Sequence, residues 1–172
     1  MLDQYRAEER TEAGIDSVIR ERLTGEGLAE VKVERCVSGR YVTWKQPEPA
    51  VSIIILNRDH GSWLRTLVNS IFALTDYTNY SLIIVDNNST ETDVRKLYAE
   101  LNTNERVQVV HYDRDFNYSE AINTGVAHSQ AEVIVLLNND MQVTNPHWLS
   151  ELVRWAVQPE IGVVGGKLLH LN

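Results

Sequence analysis

The chain has 172 residues and a formal net charge of -8, with a hydrophobic share of 43% and a charged share of 23%. This length suits one domain with a proper core plus an appendage, and the composition is that of a soluble globular protein. The acidic balance argues against nonspecific binding to nucleic acid, which requires a basic surface. An anionic ligand would therefore have to be held locally, by particular arginines, backbone amides or a metal ion.

Several other classes of protein are also disfavoured by the sequence. No apolar run reaches the roughly 18 residues of a membrane span, and the charged N-terminus, MLDQYRAEER, is not that of a secretory signal. A cytoplasmic location is expected. The single Cys36 excludes an internal disulfide. The five histidines do not form a zinc motif such as HExxH, and Ser119 lacks the GxSxG context of a hydrolase nucleophile.

Residues 1–45 differ in pattern from the rest of the chain. Apolar residues at helical spacing between Ile15 and Leu23, followed by Gly25, predict one amphipathic helix. Valines alternate with charged residues from position 31, and Ser38-Gly39 precedes a second apolar run, which predicts a β-hairpin. Residues 46–50 include two prolines and are predicted to be an extended linker.

From Val51 onward, short apolar strands alternate with helices. Strand and helix alternating at this spacing predicts right-handed crossovers and a doubly wound, mostly parallel α/β sheet over residues 51–172. The strands are predicted at residues 51–56, 82–85, 107–110, 133–137 and 161–164.

The helices after the first four strands are predicted from their apolar stripes and start signals. The stripes include Trp63 in the first helix, Tyr98 in the second, and Ile122 and Val126 in the third. Start signals come from Thr90 with Asp93, from Asn117 with Glu120, and from Pro146 at the first position of the fourth helix.

Polar residues follow each of the first four strands, at the edge where parallel sheets bind ligands. The four segments are Asn57-Arg58-Asp59, Asp86-Asn87-Asn88, Tyr112-Asp113-Arg114-Asp115 and Asn138-Asn139-Asp140. Basic residues and carboxylates converging on one edge indicate a charged ligand with a metal ion. Taken alone, Asn-Asn-Asp is more typical of a turn than of a metal site. No GxxxxGK[ST] or GxGxxG motif is present, which disfavours ATPase and NAD chemistry.

Four segments in this order, VSIIILNRD, LIIVDNNST, FNYSEAINTGVAHS and VIVLLNNDMQV, resemble the successive motifs of family 2 glycosyltransferases with the GT-A fold. The likeness spans about residues 40–170. It is strongest to bacterial rhamnosyl- and O-antigen-type enzymes, which carry a helix-hairpin-linker segment before the catalytic domain.

This resemblance implies an inverting transfer of a sugar from a UDP-, dTDP- or GDP-linked donor to a saccharide acceptor in cell-surface polysaccharide synthesis. The family's DxD metal motif corresponds to Asn138-Asn139-Asp140, with asparagine at its first position. Asp140 is the implied ligand of a divalent metal, Mg²⁺ or Mn²⁺, and Asp86 the implied acceptor for the nucleobase. The residues implied in donor binding are Asn57, Arg58, Asp86, Arg114, Asn117, Asn123 and Asn138.

The resemblance places the catalytic base beyond Asn172, on the acceptor side. The chain is therefore expected to be the donor-binding part of a longer enzyme, inactive alone, since His170 near its end is poorly fixed as a base. The exposed leucines 168, 169 and 171 favour self-association. The resemblance also allows peripheral association of the full-length protein with the inner face of the membrane.

Two other functions stay open at this point. A non-catalytic nucleotide-binding or assembly module of a polysaccharide-synthesising protein is compatible with Asn138 in place of an aspartate. A nucleotidyltransferase would share the topology, but it would need a glycine-rich basic signature near the first strand, which is absent from the sequence.

Overall fold

The structure is a computed structural model that describes residues 11–37 and 39–169. The chain divides into two compact units between Pro47 and Glu48, and the predicted linker at 46–50 lies across this division. Ser38 of the predicted turn, and residues 170–172 with the predicted roles of His170 and Leu171, lie outside the described residues. Within residues 11–37 and 39–169, no helix has the length and apolar character needed to cross a membrane.

The first unit is a helix, α1 (Glu12–Gly25), followed by an antiparallel hairpin of β1 (Ala29–Cys36) and β2 (Gly39–Lys45). Asp16 on α1 accepts hydrogen bonds from Arg40 of β2 at 2.6 Å and from Arg35 of β1 at 2.9 Å. The bond from Arg40 is the main cause that lowers the pKa of the Asp16 carboxyl below its ordinary value. The predicted helix and hairpin are confirmed, and charged contacts join them.

The second unit alternates strand and helix throughout, and its strand order is β5-β4-β3-β6 with every pair parallel. The predicted doubly wound fold is confirmed, as is the prediction that the first and fourth strands of this unit are neighbours. Its elements are β3 (Val51–Asn57), α2 (Gly61–Leu74), β4 (Tyr80–Asp86), α3 (Thr92–Leu101), β5 (Val107–His111), α4 (Tyr118–Ala127), β6 (Val133–Asn138) and α5 (Trp148–Ala156).

Both faces of the central strands are buried, as their β-branched sequences require. On one face, Ile53 and Ile55 of β3 pack in a large cluster with side chains of α2, α3 and α5. On the other face, Ile54 packs in a smaller cluster to which α4 contributes Ala121. The sheet is therefore the middle layer of three, and its strand ends are fixed by packing on both sides.

The helix α4 packs on the sheet through small residues, which differs from the prediction. Ala121 and Gly125 form its buried face, whereas Val126 is 39% exposed and Ile122 only half-buried. A Cβ atom on Gly125 would lie 2.7 Å from Cγ2 of Ile54 and 2.9 Å from Cγ2 of Val85. Hydrophobic periodicity locates large apolar side chains. It therefore does not detect this face of α4, whose small residues allow the helix to pack closely on the sheet.

The predicted fifth strand at 161–164 is wrong, since this segment is irregular and Val163 is 90% exposed. The segment has the apolar composition of a strand but makes no ladder with the described strands, and a strand without a partner leaves its backbone groups unpaired. Leu168 and Leu169, which follow it, are each 71% exposed. The predicted self-association through these leucines stays a prediction.

Two helix starts and one apolar stripe also differ from the sequence prediction. Thr90 and Asp93 do not form a capping box, because α3 begins at Thr92 with Glu91 at the N-cap. Pro146 lies in a turn two residues before α5. Trp63 is 49% exposed and stacks on His60 with ring centroids 4.3 Å apart. Each difference lies at or just before the first turn of a helix, where helix boundaries are set by local contacts.

Gly125→Val should lower the free energy of unfolding by about 1 to 3 kcal/mol, because the new side chain overlaps two buried methyl groups. Urea denaturation would measure the change. Gly162→Val is the matched control, since no atom lies within 4 Å of a Cβ at that exposed position. Equal unfolding midpoints for the two variants would contradict the close packing of α4 on the sheet.

Candidate functional site

The strand register brings the predicted site residues to one edge of the sheet. Asn57 of β3 pairs with Asp86 of β4, and Asp86 pairs in turn with His111 of β5. On the other side, Leu56 pairs with Asn138 of β6. The four strand ends and the loops that follow them thus form a continuous edge, which we call the polar rim.

Asp86 is a buried carboxylate at the centre of this rim. Its side chain is 7% exposed, and its Oδ1 accepts hydrogen bonds from the Tyr98 hydroxyl at 2.9 Å and the Ser89 backbone N–H at 3.2 Å. Its Oδ2 lies 3.3 Å from Nδ1 of His111, whose side chain is 64% exposed. A buried charge needs such partners, and Oδ2 is the oxygen that faces a solvent-exposed group.

Tyr98 connects Asp86 to the neighbouring strand. Asn57 donates through Nδ2 to the Tyr98 hydroxyl at 2.8 Å, and it accepts through Oδ1 from Asn139 at 2.7 Å. Burial is the main cause that raises the pKa of the Tyr98 phenol, so the phenol stays protonated and can donate to Asp86. A single hydrogen-bonded chain therefore runs across β4, β3 and the turn after β6.

Asp59 joins the loop after β3 to the loop after β4. Its Oδ1 accepts from the backbone N–H groups of Thr90 at 2.7 Å and Glu91 at 3.0 Å, and its own N–H donates to the Ser89 hydroxyl. The bonds from Glu91 and then Thr90 lower the pKa of the Asp59 carboxyl. Asp59 and His60 both have left-handed backbone, with φ of 56° and 52°. Such sparsely populated conformations persist only where neighbouring contacts enforce them.

The third loop of the rim is held by asparagine side chains. Asn87 donates through Nδ2 to the carbonyl oxygens of Tyr112 at 3.1 Å and Arg114 at 2.9 Å. Arg114 itself is an exposed residue. Asn117 caps α4 by accepting from the Glu120 N–H at 3.1 Å, as the sequence predicts, so its amide oxygen already has a partner.

The other predicted residues are exposed. Arg58 lies in the loop after β3, Asn123 lies on α4, and Asn138 and Asp140 flank the tethered Asn139. The structure thus connects Asn57 directly to Asp86, its strand partner, and to the Asn138–Asp140 turn through the hydrogen bond from Asn139. Nothing in these contacts tests the ligand roles of the exposed residues, which stay predictions.

Asp140 and Asn138 are the residues that could hold a metal ion. Within residues 11–37 and 39–169, no group of three or more His, Cys, Asp or Glu side chains is placed to bind a metal. Mg²⁺ and similar ions, however, are often held by one or two carboxylates together with substrate phosphates. One carboxylate and one amide oxygen fit an ion that binds with a diphosphate, and they do not fit a complete protein cage.

Sequence reasoning missed the groups that surround Asp86, namely Tyr98, Ser89 and His111. The sequence pattern indicates only that Tyr98 belongs to the apolar stripe of its helix, although a buried tyrosine hydroxyl usually has a hydrogen-bond partner. That signal points to a polar partner near the stripe, but it does not identify which one. Only the strand register places His111 beside Asp86.

Comparison with known proteins identifies relatives of this chain. The model of the glycosyl transferase family 2 matches residues 51–170. The O-antigen biosynthesis protein RfbC of Myxococcus xanthus is 37% identical over 160 residues, which is 92% of this chain. The uncharacterized protein y4gI of Sinorhizobium fredii is 41% identical over 150 residues, or 87% of this chain. The chain spans only 12% and 16% of the length of these two relatives, respectively.

Two solved structures share the fold. The mannosyltransferase PcManGT from Pyrobaculum calidifontis, in complex with GDP-Man and Mn²⁺, matches 68% of this chain with a TM-score of 0.61 and 22% identity. Residues 1–349 of TarS from S. aureus match 62% of this chain with a TM-score of 0.54 and 15% identity. This chain covers 35% and 32% of those structures.

Tyr98→Phe should lower the free energy of unfolding by about 1 to 3 kcal/mol, because it removes the hydroxyl shared by Asn57 and the buried Asp86. Thermal or urea unfolding would measure this loss. Tyr118→Phe, at a tyrosine that is 52% exposed, is the matched control and should change stability by less than about 0.5 kcal/mol. A Tyr98→Phe protein as stable as the control would show that the hydroxyl is not part of a connected network.

Proposed function

Because the chain belongs to glycosyl transferase family 2, we propose that it forms the donor-binding part of an inverting enzyme. In this proposal the enzyme transfers a sugar from a nucleotide diphosphate to a saccharide in cell-surface polysaccharide synthesis. The observation that carries the proposal is the polar rim, where Asn57 pairs with Asp86 on one side and accepts a hydrogen bond from Asn139 of the Asn138–Asp140 turn on the other. The O-antigen role named for RfbC supports the polysaccharide assignment. We place the enzyme on the cytoplasmic side of the membrane.

Different residues of the polar rim bind different parts of the nucleotide diphosphate. Asp86 accepts a hydrogen bond from the nucleobase, in a position fixed by Tyr98 and Ser89. Arg58 and Arg114, on exposed loops on either side, offset the negative charge of the diphosphate. Charge-assisted hydrogen bonds of this type also orient the ligand.

Asp140 and Asn138 would hold a divalent metal ion together with the diphosphate, which agrees with their oxygen donors. When bound, the ion neutralises negative charge that develops on the leaving diphosphate. The complex of PcManGT with GDP-Man and Mn²⁺ supports a sugar nucleotide and a divalent ion as ligands of this fold. Asn139 contributes by tying the turn to Asn57, which keeps Asp140 near the nucleotide.

The acceptor hydroxyl must lose a proton when it attacks the anomeric carbon, and a positioned carboxylate is suited to take that proton. The sequence resemblance assigns this base to the acceptor side of the enzyme. For residues 1–172 the proposal covers binding and orientation of the donor. Sugar transfer also requires the catalytic base and the residues on the acceptor side.

The second candidate function is a non-catalytic nucleotide-binding or assembly module. The observation that favours it is Asn138 at the first position of the metal motif, which leaves Asp140 as the single carboxylate of the turn. Such a module would bind the nucleotide without gaining affinity from the metal. Metal dependence of binding therefore separates the two functions.

Isothermal titration with nucleotide diphosphates should show binding that strengthens when Mn²⁺ is added. Asp86→Ala should weaken binding by about tenfold or more, the cost of one charge-assisted hydrogen bond of about 1.5 to 3 kcal/mol. Asp140→Ala should retain the metal-free affinity and lose the gain from Mn²⁺. Asp93→Ala is the matched control, since this carboxylate is 91% exposed on α3, and it should behave as the wild type.

Two results would argue against the proposal. Absence of binding by every nucleotide diphosphate would reject donor binding altogether. Binding that is equal with and without Mn²⁺ in the wild type and in Asp140→Ala would favour the non-catalytic module over the transferase.

A further inference from the structure

Residues 139–147, which we call the rim segment, carry Asp140 and lead from the end of β6 to the start of α5. The rim segment has a turn at each end and contains no helix or strand. It therefore lacks the regular backbone hydrogen bonds that hold a helix or a strand in place, and contacts with other elements have to fix its position. At its rim end, Asn139 donates to Oδ1 of Asn57 at 2.7 Å.

The far end of the rim segment is attached to the residues that follow α2. The Asp76 N–H donates to the carbonyl oxygen of Pro146 at 3.1 Å. Just beyond the segment, Nε1 of Trp148 donates to Oγ1 of Thr75 at 2.9 Å. Because Asn57 precedes α2 and Thr75 follows it, the two attachments lie at opposite ends of this 14-residue helix, which is about 21 Å long. The rim segment therefore runs along α2.

Ser70 attaches the middle of the rim segment to α2. Its Oγ accepts a hydrogen bond from the Val143 N–H at 3.0 Å and donates to the carbonyl oxygen of Leu67 at 2.8 Å. Ser70 and Val143 are each only 8% exposed. A hydroxyl has one proton, and Ser70 gives it to Leu67, so its oxygen serves Val143 as an acceptor. Val143 and Met141 also pack on the large apolar cluster to which α2 contributes. A buried hydrogen bond and apolar packing thus fix the middle of the segment.

We propose that Ser70 is a positioning residue for Asp140, an inference that rests on the metal role proposed above. Asp140 is exposed, so its carboxylate depends for its position on the backbone at either side. On one side, Asn139 is bonded within the rim. On the other side, three residues further along, Val143 is bonded to Ser70. A divalent ion shared by a protein carboxylate and a diphosphate requires both at the correct distance, and groups that orient a metal ligand contribute to its affinity.

Removal of the Ser70 hydroxyl should move this stretch without disturbing the rest of the rim. In Ser70→Ala, the buried Val143 N–H loses its acceptor, and a buried donor without a partner is costly. The N–H regains a partner only if the backbone around it shifts, and Asp140 lies in the stretch that shifts. The hydrogen bonds to Asp86 come from Ser89, Tyr98 and His111 and do not involve the rim segment. The loss should therefore be confined to the contribution of the metal ion.

The test is isothermal titration of each protein with UDP and with GDP, in the absence and in the presence of Mn²⁺. The ratio of the two affinities, for a nucleotide that binds, is the Mn²⁺ gain. Ser70→Ala should keep the metal-free affinity of the wild type. It should lower the Mn²⁺ gain by about tenfold, the lower end of the cost of losing a partner that orients a metal ligand, or abolish a smaller gain. Ser70→Cys fills the same space with a weaker acceptor and should give an intermediate gain.

Thr66→Ala is the matched control. The Thr66 hydroxyl lies on the same helix, but it donates to the carbonyl oxygen of Ser62 at 3.0 Å. This variant should keep both the metal-free affinity and the Mn²⁺ gain of the wild type. Thermal unfolding of every variant identifies those that are folded, and Ser70→Cys carries the test if Ser70→Ala is not.

The outcomes separate the inference from the function on which it rests. A wild-type Mn²⁺ gain in Ser70→Ala would overturn the inference. Equal losses of affinity with and without Mn²⁺ would also overturn it, because they would show that Ser70 only maintains the fold. A wild-type protein that binds a nucleotide without any Mn²⁺ gain would reject the metal role of Asp140, and the inference with it. Absence of binding by both nucleotides would reject the donor-binding function itself.

Discussion

The buried negative charge of Asp86 is the constraint on which the polar rim depends. A carboxylate that is 7% exposed is tolerated only with several donors around it. One donor comes from the backbone of the next loop, one from α3 and one from the end of β5. Each of these elements is therefore held at the strand end by contact with the same carboxylate.

This arrangement is possible because the parallel sheet places the carboxyl ends of neighbouring strands side by side. Parallel register aligns Asn57, Asp86 and His111 in one row across three strands. On one face of the sheet, Gly125 lets α4 pack directly against Ile54 and Val85, close below this row. Asp59 then fixes the loop that follows β3 against the loop that follows β4. Packing of α4 below the rim and hydrogen bonds within the rim together fix the positions of the rim residues.

The strands of the sheet and the polar residues at their ends could be predicted from the sequence, because buried strands and ligand-side loops have distinct compositions. The partners of those residues could not. Tyr98 lies in an apolar stripe, and only the fold brings its hydroxyl to Asp86. Residues 161–164 illustrate the opposite error, since four residues with the composition of a strand pair with none of the described strands. Local composition describes what a segment can form, whereas pairing decides what it forms.

The rim residues divide into those bonded within the protein and those exposed to solvent. The side chains of Asn57, Asp59 and Asn87 bond other parts of the rim, whereas the residues Arg58, Arg114 and Asp140 are exposed. The exposed charges are open to a ligand from solvent, and the donor-binding function proposed above assigns them to its phosphates and to the metal ion. Asp86 differs from both sets, because its carboxylate is buried and its position is held by the Tyr98 hydroxyl, the Ser89 N–H and His111.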